Sequence, residues 1–213
     1  MNTLLTARNM LFIVDGLKMT LYISVISIFL STLFGTVLGV LRSLTGGIFK
    51  MLAALYIEVV RNIPNLLWIY VIFIVFKLKS VEAGVVSFTI FTSAAMGEIV
   101  RGGLNSVGKG QWEAARSQGF NSFQILLYVI LPQALRNMIP AFVSQFVTVI
   151  KDTSFLWSVV AIQELTGKVT ILMGRYYKVG QVFLLYGILA SIYFIINFAI
   201  SHFSRRLQRK WTY

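Results

Sequence analysis

The stretch LKMTLYISVISIFLSTLFGTVLGVL, residues 17–41, decides the fold class. After Lys18 it carries no charge, and wound as a helix at about 1.5 Å per residue it is long enough to cross the roughly 30 Å of a bilayer's hydrocarbon. Ser24, Ser27, Ser31, Gly35 and Gly39 recur at close spacing, and Gly35 to Gly39 is a small-xxx-small pattern on which a second helix can come close. Packing within this chain and a seam with another subunit both use such a surface.

Working outward, the rest of the chain agrees. Of 213 residues, 57% are hydrophobic and 12% charged, far from the balance of a soluble domain. There is no cysteine and one histidine, His202, which removes thiolate nucleophiles, disulfides and any His- or Cys-ligated metal site. Nineteen basic residues against seven acidic ones give +12. They punctuate apolar runs, and Arg205, Arg206, Arg209 and Lys210 follow the last run as a cytoplasmic anchor, so the charge reads as membrane topology and lipid contact, with no nucleic-acid partner. Arg8, Asp15 and Lys18 precede the first span with no cleavable signal pattern, so the first helix is expected to stay.

Further spans are expected at about 52–76, 83–101, 136–150 and 182–203, making an all-α polytopic membrane protein of about five transmembrane helices in a single transmembrane domain over 1–213. The run 155–162 is too short to cross and reads as a re-entrant or interfacial helix. Five crossings separate the termini. The basic tail places the carboxyl end in the cytoplasm and the amino end outside, although nine inner Lys and Arg against eight outer ones add little.

In that topology the polar stretch after the third span, about 102–132, is cytoplasmic. Within it Gln111 to Gln118 forms a short helix, with Glu113 near its positive end and Gly119 able to take the left-handed turn that stops it. So short a helix is unstable alone. It lies either on its own membrane domain or against a partner, to which Trp112 would offer an anchor and Ala114-Ala115 a flat surface.

Glu113-Ala114-Ala115, then Gly119, then Val129-Ile130-Leu131-Pro132 resemble the EAA loop of the permeases of binding-protein-dependent ABC importers, with valine where isoleucine is usual. Tyr56 to Pro64, Glu98 to Gly103, Pro132 to Arg136 and Lys151-Asp152-Thr153-Ser154 resemble the polar amino-acid branch, the glutamine permeases among them. Asn62-Ile63 departs from the usual Gly-Thr, and the loop between the second and third spans is short. The resemblance implies a type I ABC importer permease fold in a bacterial cytoplasmic membrane. It makes the short helix, with Trp112, Glu113, Ala114, Ala115 and Gly119, a coupling helix that docks on an ATPase subunit. It further implies a second permease subunit, identical or not, an extracytoplasmic amino-acid-binding protein, and ATP with Mg on the partner ATPase rather than on this chain. The expected cargo is a polar L-amino acid, glutamine or glutamate first, with arginine, histidine or cystine as alternatives.

Charges at membrane depth are costly and face partners or water. Glu58 and Arg61, and Glu98 and Arg101, are each three apart and share a helix face. They serve either as structural ion pairs near the cytoplasmic interface or, with the kink that Pro64 permits beside Asn62 and Asn65, as a gate. Lys151-Asp152-Thr153-Ser154 interrupts two apolar runs. It suits either an outer loop, with Asp152 capping the next helix, or a substrate path whose charges match an amino acid's carboxylate and ammonium. Gln163 and Glu164 are candidates for meeting substrate or binding protein, and Trp157, Tyr176 and Tyr177 for an interfacial belt. Gly108-Lys109 and Gly167-Lys168 lack the following Ser/Thr of a phosphate loop. An intramembrane enzyme built on Glu58, Glu98 and Asp152 would have no paired nucleophile and base, and a channel leaves the cytoplasmic loop without a role.

Overall fold

The computed structural model describes residues 4–44 and 46–211, with the side chains of 44 and 207–211 left aside; Arg209 and Lys210 of the basic tail fall among these. Its elements are α1 (Ala7–Leu44), α2 (Gly47–Asn62), α3 (Asn65–Phe76), α4 (Ser80–Asn105), α5 (Lys109–Ser117), α6 (Ser122–Gln124), a π-helical turn (Ile125–Ile130), α7 (Leu131–Asp152), α8 (Phe155–Val160), α9 (Leu165–Arg175) and α10 (Val179–Trp211). Among the described residues, four helical runs are long and apolar enough to cross a membrane: α1, α4, the continuous stretch Ser122–Val160, and α10. The bent pair α2–α3 makes up to five.

The first helix begins at Ala7, ten residues before the apolar stretch, and this added length packs on α9 and α10 through Met10, Phe12 and Ile13 while Arg8, Asp15 and Lys18 stay on its uncovered side. The region 52–76 is two helices set at 103° to each other. Ile63 is extended (φ −102°, ψ 131°), as a residue before proline prefers, and Pro64 starts α3. Trp68 Nε1 donates to the Val60 carbonyl at 3.2 Å, supplying a partner beside the break.

The region 136–150 is the second half of a run that starts at Ser122. There Asn121 and Gln124 form a reciprocal capping box, with Gln124 N donating to Asn121 Oδ1 at 2.9 Å and Asn121 N to Gln124 Oε1 at 3.0 Å. Pro132 lacks an N–H and would crowd the carbonyl four residues back, and the turn before it is widened, with Leu131 N–H reaching the Leu126 carbonyl. The run 155–162 is not a separate re-entrant element. Thr153 and Ser154 only interrupt α7, and α8 continues it to Val160, where Ala161 turns left-handed (φ 53°) and α9 begins at Leu165.

α1 lies along α4, and the small-residue pattern is the reason. A side-chain carbon on Gly35 would stand 2.7 Å from the Ser93 carbonyl oxygen, and one on Gly39 2.6 Å from that of Gly97, so the seam is within this chain. Three buried clusters run along the bundle: around Ile57, Phe88 and Leu156 at mid-length, around Leu104, Ile130 and Met138 at the α5 end, and around Ile13, Leu165 and Leu185 at the far end. Many hydroxyls bond within their own helix. Ser24 donates to the Thr20 carbonyl, Thr36 to Thr32, Ser87 to Ala83, Thr89 to Val85 and Ser191 to Gly187, at 2.6–2.7 Å.

Candidate functional site

Two surfaces are assembled from the residues singled out in the sequence. The first is α5. It opens at Gly108 and closes in a Schellman motif: Phe120 N–H donates to the Ala115 carbonyl at 3.2 Å and Gly119 N–H to Arg116 at 2.9 Å, with Gly119 at φ +83°. The helix has two faces. Ala115, 6% exposed, and half-buried Trp112 pack inward on the cluster that holds Leu104, Val107 and Ile130, so these two fix α5 to its own chain. Glu113, Ala114, Arg116 and Ser117 are exposed. Gln133 Nε2 donates to Gln111 Oε1 at 3.3 Å and Asn137 Nδ2 to Ser106 Oγ at 2.8 Å, tying α5 and the end of α4 to α7.

The second surface is the open face of α7. Asn137, Ala141, Ser144, Thr148 and Lys151 recur along α7 every three or four residues, and this chain leaves them wholly or partly uncovered. A polar stripe on a spanning helix does not face lipid at ease; it faces water or another protein. At its end, half-buried Asp152 accepts a hydrogen bond from Asn65 Nδ2 at 3.4 Å, which joins the Ile63-Pro64 bend to the 151–154 tetrad. Lys151 is exposed beside it. Thr153 is fully buried and donates to the Ile150 carbonyl, so it turns away from the stripe, and Ser154 leads into α8 without capping it. Asp152 does not cap α8 either. Asn137, Ser144 and Thr148 went unnoticed in the sequence; their helical recurrence within an apolar run was the available signal.

A charge cluster joins α1, α2 and α4. Glu98 takes Arg42, Arg101 (Nη2 at 2.9 Å) and Arg61 (3.6 Å), and Arg42 also bonds Glu58 at 2.8 Å. Glu98 and Arg101 pair along one helix, whereas Glu58 and Arg61 reach separate partners. The hub is a residue the sequence did not single out, Arg42 at the end of α1. The cluster therefore clamps α1, α2 and α4 together.

Glu164 is a correction. It is fully buried and caps α9: its carboxylate accepts from the Thr166 and Gly167 N–H groups (2.9 Å each), Tyr193 (3.1 Å) and Thr20 (3.2 Å). Burial pushes the carboxyl above its usual range, against the pull of those donors. It holds α1, α9 and α10 together and has no open side for a substrate or binding protein. Gln163 is exposed. Trp157 packs against Gly167, and Tyr176 accepts a bond from Asn9, so of the proposed belt only Tyr177, 80% exposed, stands clear.

Residues 13–213 match the family model described as binding-protein-dependent transport system inner membrane component. The chain is 40% identical over 210 residues to the probable glutamine ABC transporter permease protein GlnP of Bacillus subtilis (strain 168), covering 96% of each chain. It is 33% identical to the probable glutamine permease GlnM of the same strain, over 99% of this chain and 100% of the relative, and 33% identical to the glutamine transport system permease GlnP of Escherichia coli (strain K12), over 93% and 92%. A crystal structure of an amino acid ABC transporter with histidines superposes with a TM-score of 0.87 at 30% identity, covering 95% of both chains. The expected type I importer fold is thus the fold observed, and this chain belongs to the binding-protein-dependent transport system inner membrane components, a multi-pass membrane subunit of an ABC importer and not an enzyme.

Proposed function

We propose that this chain is one permease subunit of an importer for a polar L-amino acid, glutamine first. The observation that carries it is the polar stripe from Asn137 to Asp152, uncovered by this chain, which runs toward the same end as the exposed face of α5. A zwitterion crossing a bilayer exchanges hydration for fixed polar partners. Ser144 and Thr148 on the stripe, with Asn65, Lys151 and Asp152 at its end, supply hydroxyl, amide and neighbouring opposite charges. The second permease subunit closes the path over that stripe. Two glutamine-permease relatives in one organism support a non-identical pair.

Glu113, Ala114, Arg116 and Ser117 face a cytoplasmic ATPase, which holds ATP and Mg, while Trp112, Ala115 and Gly119 set the pose of that face. The carboxyl terminus is cytoplasmic and the amino terminus is outside, where an amino-acid-binding protein delivers cargo. Glu58, Arg61, Pro64 and Glu98 act as the hinge and clamp of the inner gate, and the names of the relatives favour glutamine over arginine, histidine or cystine. The test is uptake by proteoliposomes holding the complete complex, challenged with the twenty amino acids and with a sugar and a metal ion as controls. ATP-dependent glutamine uptake is expected, and uptake confined to the controls would overturn the reading.

A further inference from the structure

The end of the bundle opposite α5 carries a feature that the transport path does not use. Gly35 faces Ser93, Gly39 faces Gly97, and Ser27 Oγ donates to the Val85 carbonyl, so α1 and α4 run parallel with a stagger of about 60 positions. α4 begins only at Ser80, and residues 7–19 of α1 therefore rise past it by about 20 Å. α9 runs antiparallel beside this extension: Lys168 Nζ lies 4.0 Å from the centre of the Phe12 ring, and Asn9 Nδ2 donates to Tyr176 at 3.0 Å.

Between the two helices is an open cleft of about 480 Å³. Its wall is apolar, formed by Leu11, Phe12, Ile171 and Leu172, and its rim carries Arg8 and Arg175. Both arginines are exposed, and neither has a carboxylate partner among the described residues. Asp15, also on the lining, is held by Lys18 at 3.0 Å, and the Asn9 amide is turned to the Leu4 carbonyl and Tyr176. Leu11 is 65% exposed and Val14 43%, so hydrocarbon reaches the side of the cleft.

Two guanidiniums at the mouth of an apolar trough match an amphipathic anion. A guanidinium fork pairs two oxygens of a phosphate, and a basic pocket between membrane helices suits a lipid headgroup. We propose that this cleft binds one anionic phospholipid, its phosphate between Arg8 and Arg175 and an acyl chain along Leu11, Phe12, Ile171 and Leu172. An acidic protein segment would satisfy the two arginines but leave the apolar wall wet, which favours lipid.

The test is native mass spectrometry of the full importer complex released from micelles doped with phosphatidylglycerol and phosphatidylcholine of equal chain length. Phosphatidylglycerol should be retained roughly thirtyfold over phosphatidylcholine, as two cations at a membrane surface give, and Arg8→Gln/Arg175→Gln should abolish that preference. Equal retention of the two lipids by the parent, or an unchanged preference in the double variant, overturns the proposal. If the double variant fails to assemble, Ile171→Trp, which fills the trough and leaves the charges, must lower retention of phosphatidylglycerol; no loss overturns it. Displacement by millimolar inorganic phosphate alone would point to a free anion, and displacement by the soluble binding protein to a protein partner, and either result overturns the lipid assignment.

Discussion

Replacing Gly119 by valine isolates the closing turn of α5. Gly119 sits at φ +83° with no atom within 4 Å of where a side chain would begin, so the substitution meets no steric obstacle and its cost is conformational. Left-handed backbone costs an L-residue about 1–2 kcal/mol, with a β-branched residue at the upper end. That loss weakens the two bonds that close the helix, Phe120 N–H to Ala115 and Gly119 N–H to Arg116. At about 1.4 kcal/mol per decade the closed turn becomes roughly five- to thirtyfold less populated. Hydrogen exchange resolved at residues 118–121 should accelerate by that factor for valine, less for alanine and least for asparagine, which tolerates this conformation. In the reconstituted complex, stimulation of ATPase activity by loaded binding protein should fall in the same order while expression holds. Equal exchange in the three variants would refute the conformational argument. Ordered exchange with unchanged stimulation would refute the coupling role alone.

The charge cluster predicts an asymmetry between its two carboxylates: Glu98→Gln should lower the stability of the solubilised protein by about 1–3 kcal/mol, because Arg61 and Arg101 lose their carboxylate and Arg42 keeps only Glu58, while Glu58→Gln, at a side chain 60% exposed, should be near silent. Thermal unfolding of the two variants side by side checks it, and equal shifts would count against Glu98 as the dominant carboxylate of the cluster. Gly35→Ala should cost about 1–3 kcal/mol or more by forcing α1 from α4, and the same measurement decides. Asp152→Asn, which keeps the contact to Asn65 and removes the charge, should lower uptake while leaving co-purification of the complex intact; parental uptake would remove Asp152 from the path.

The features legible in the sequence were those whose cause is local. Residues 17–41 declare a spanning helix by composition, Gly119 declares a helix stop by its place just past Ser117 and Gln118, and Glu98 and Arg101 pair because three residues bring them to one face. Pro64 announces a break, although not an angle of 103°. The features that escaped depend on contacts between distant segments. Arg42 looked like a loop charge until α2 and α4 brought Glu58 and Glu98 to it. Leu165 to Arg175 was no candidate helix, since Lys168 and Arg175 disguise a face of Leu165, Val169 and Leu172 that is apolar only when laid on α1 and α10. Glu164 looked available for the same reason: two of its four donors, Thr20 and Tyr193, come from α1 and α10 and reach it only by folding.

The hydroxyls that bond back to their own helices bear on how the protein is made. Each serine or threonine satisfied within its own helix, as Ser24, Thr36, Ser87 and Thr89 are, removes one dangling donor from lipid and eases the handing of that span to the bilayer as the ribosome releases it. Later helices then choose their places by shape, through the notches at Gly35 and Gly39, rather than by an early and irreversible polar pairing. A wrong first encounter costs little and is undone by diffusion in the membrane, which lets this chain wait, inserted and intact, for α9 and the last helix to arrive.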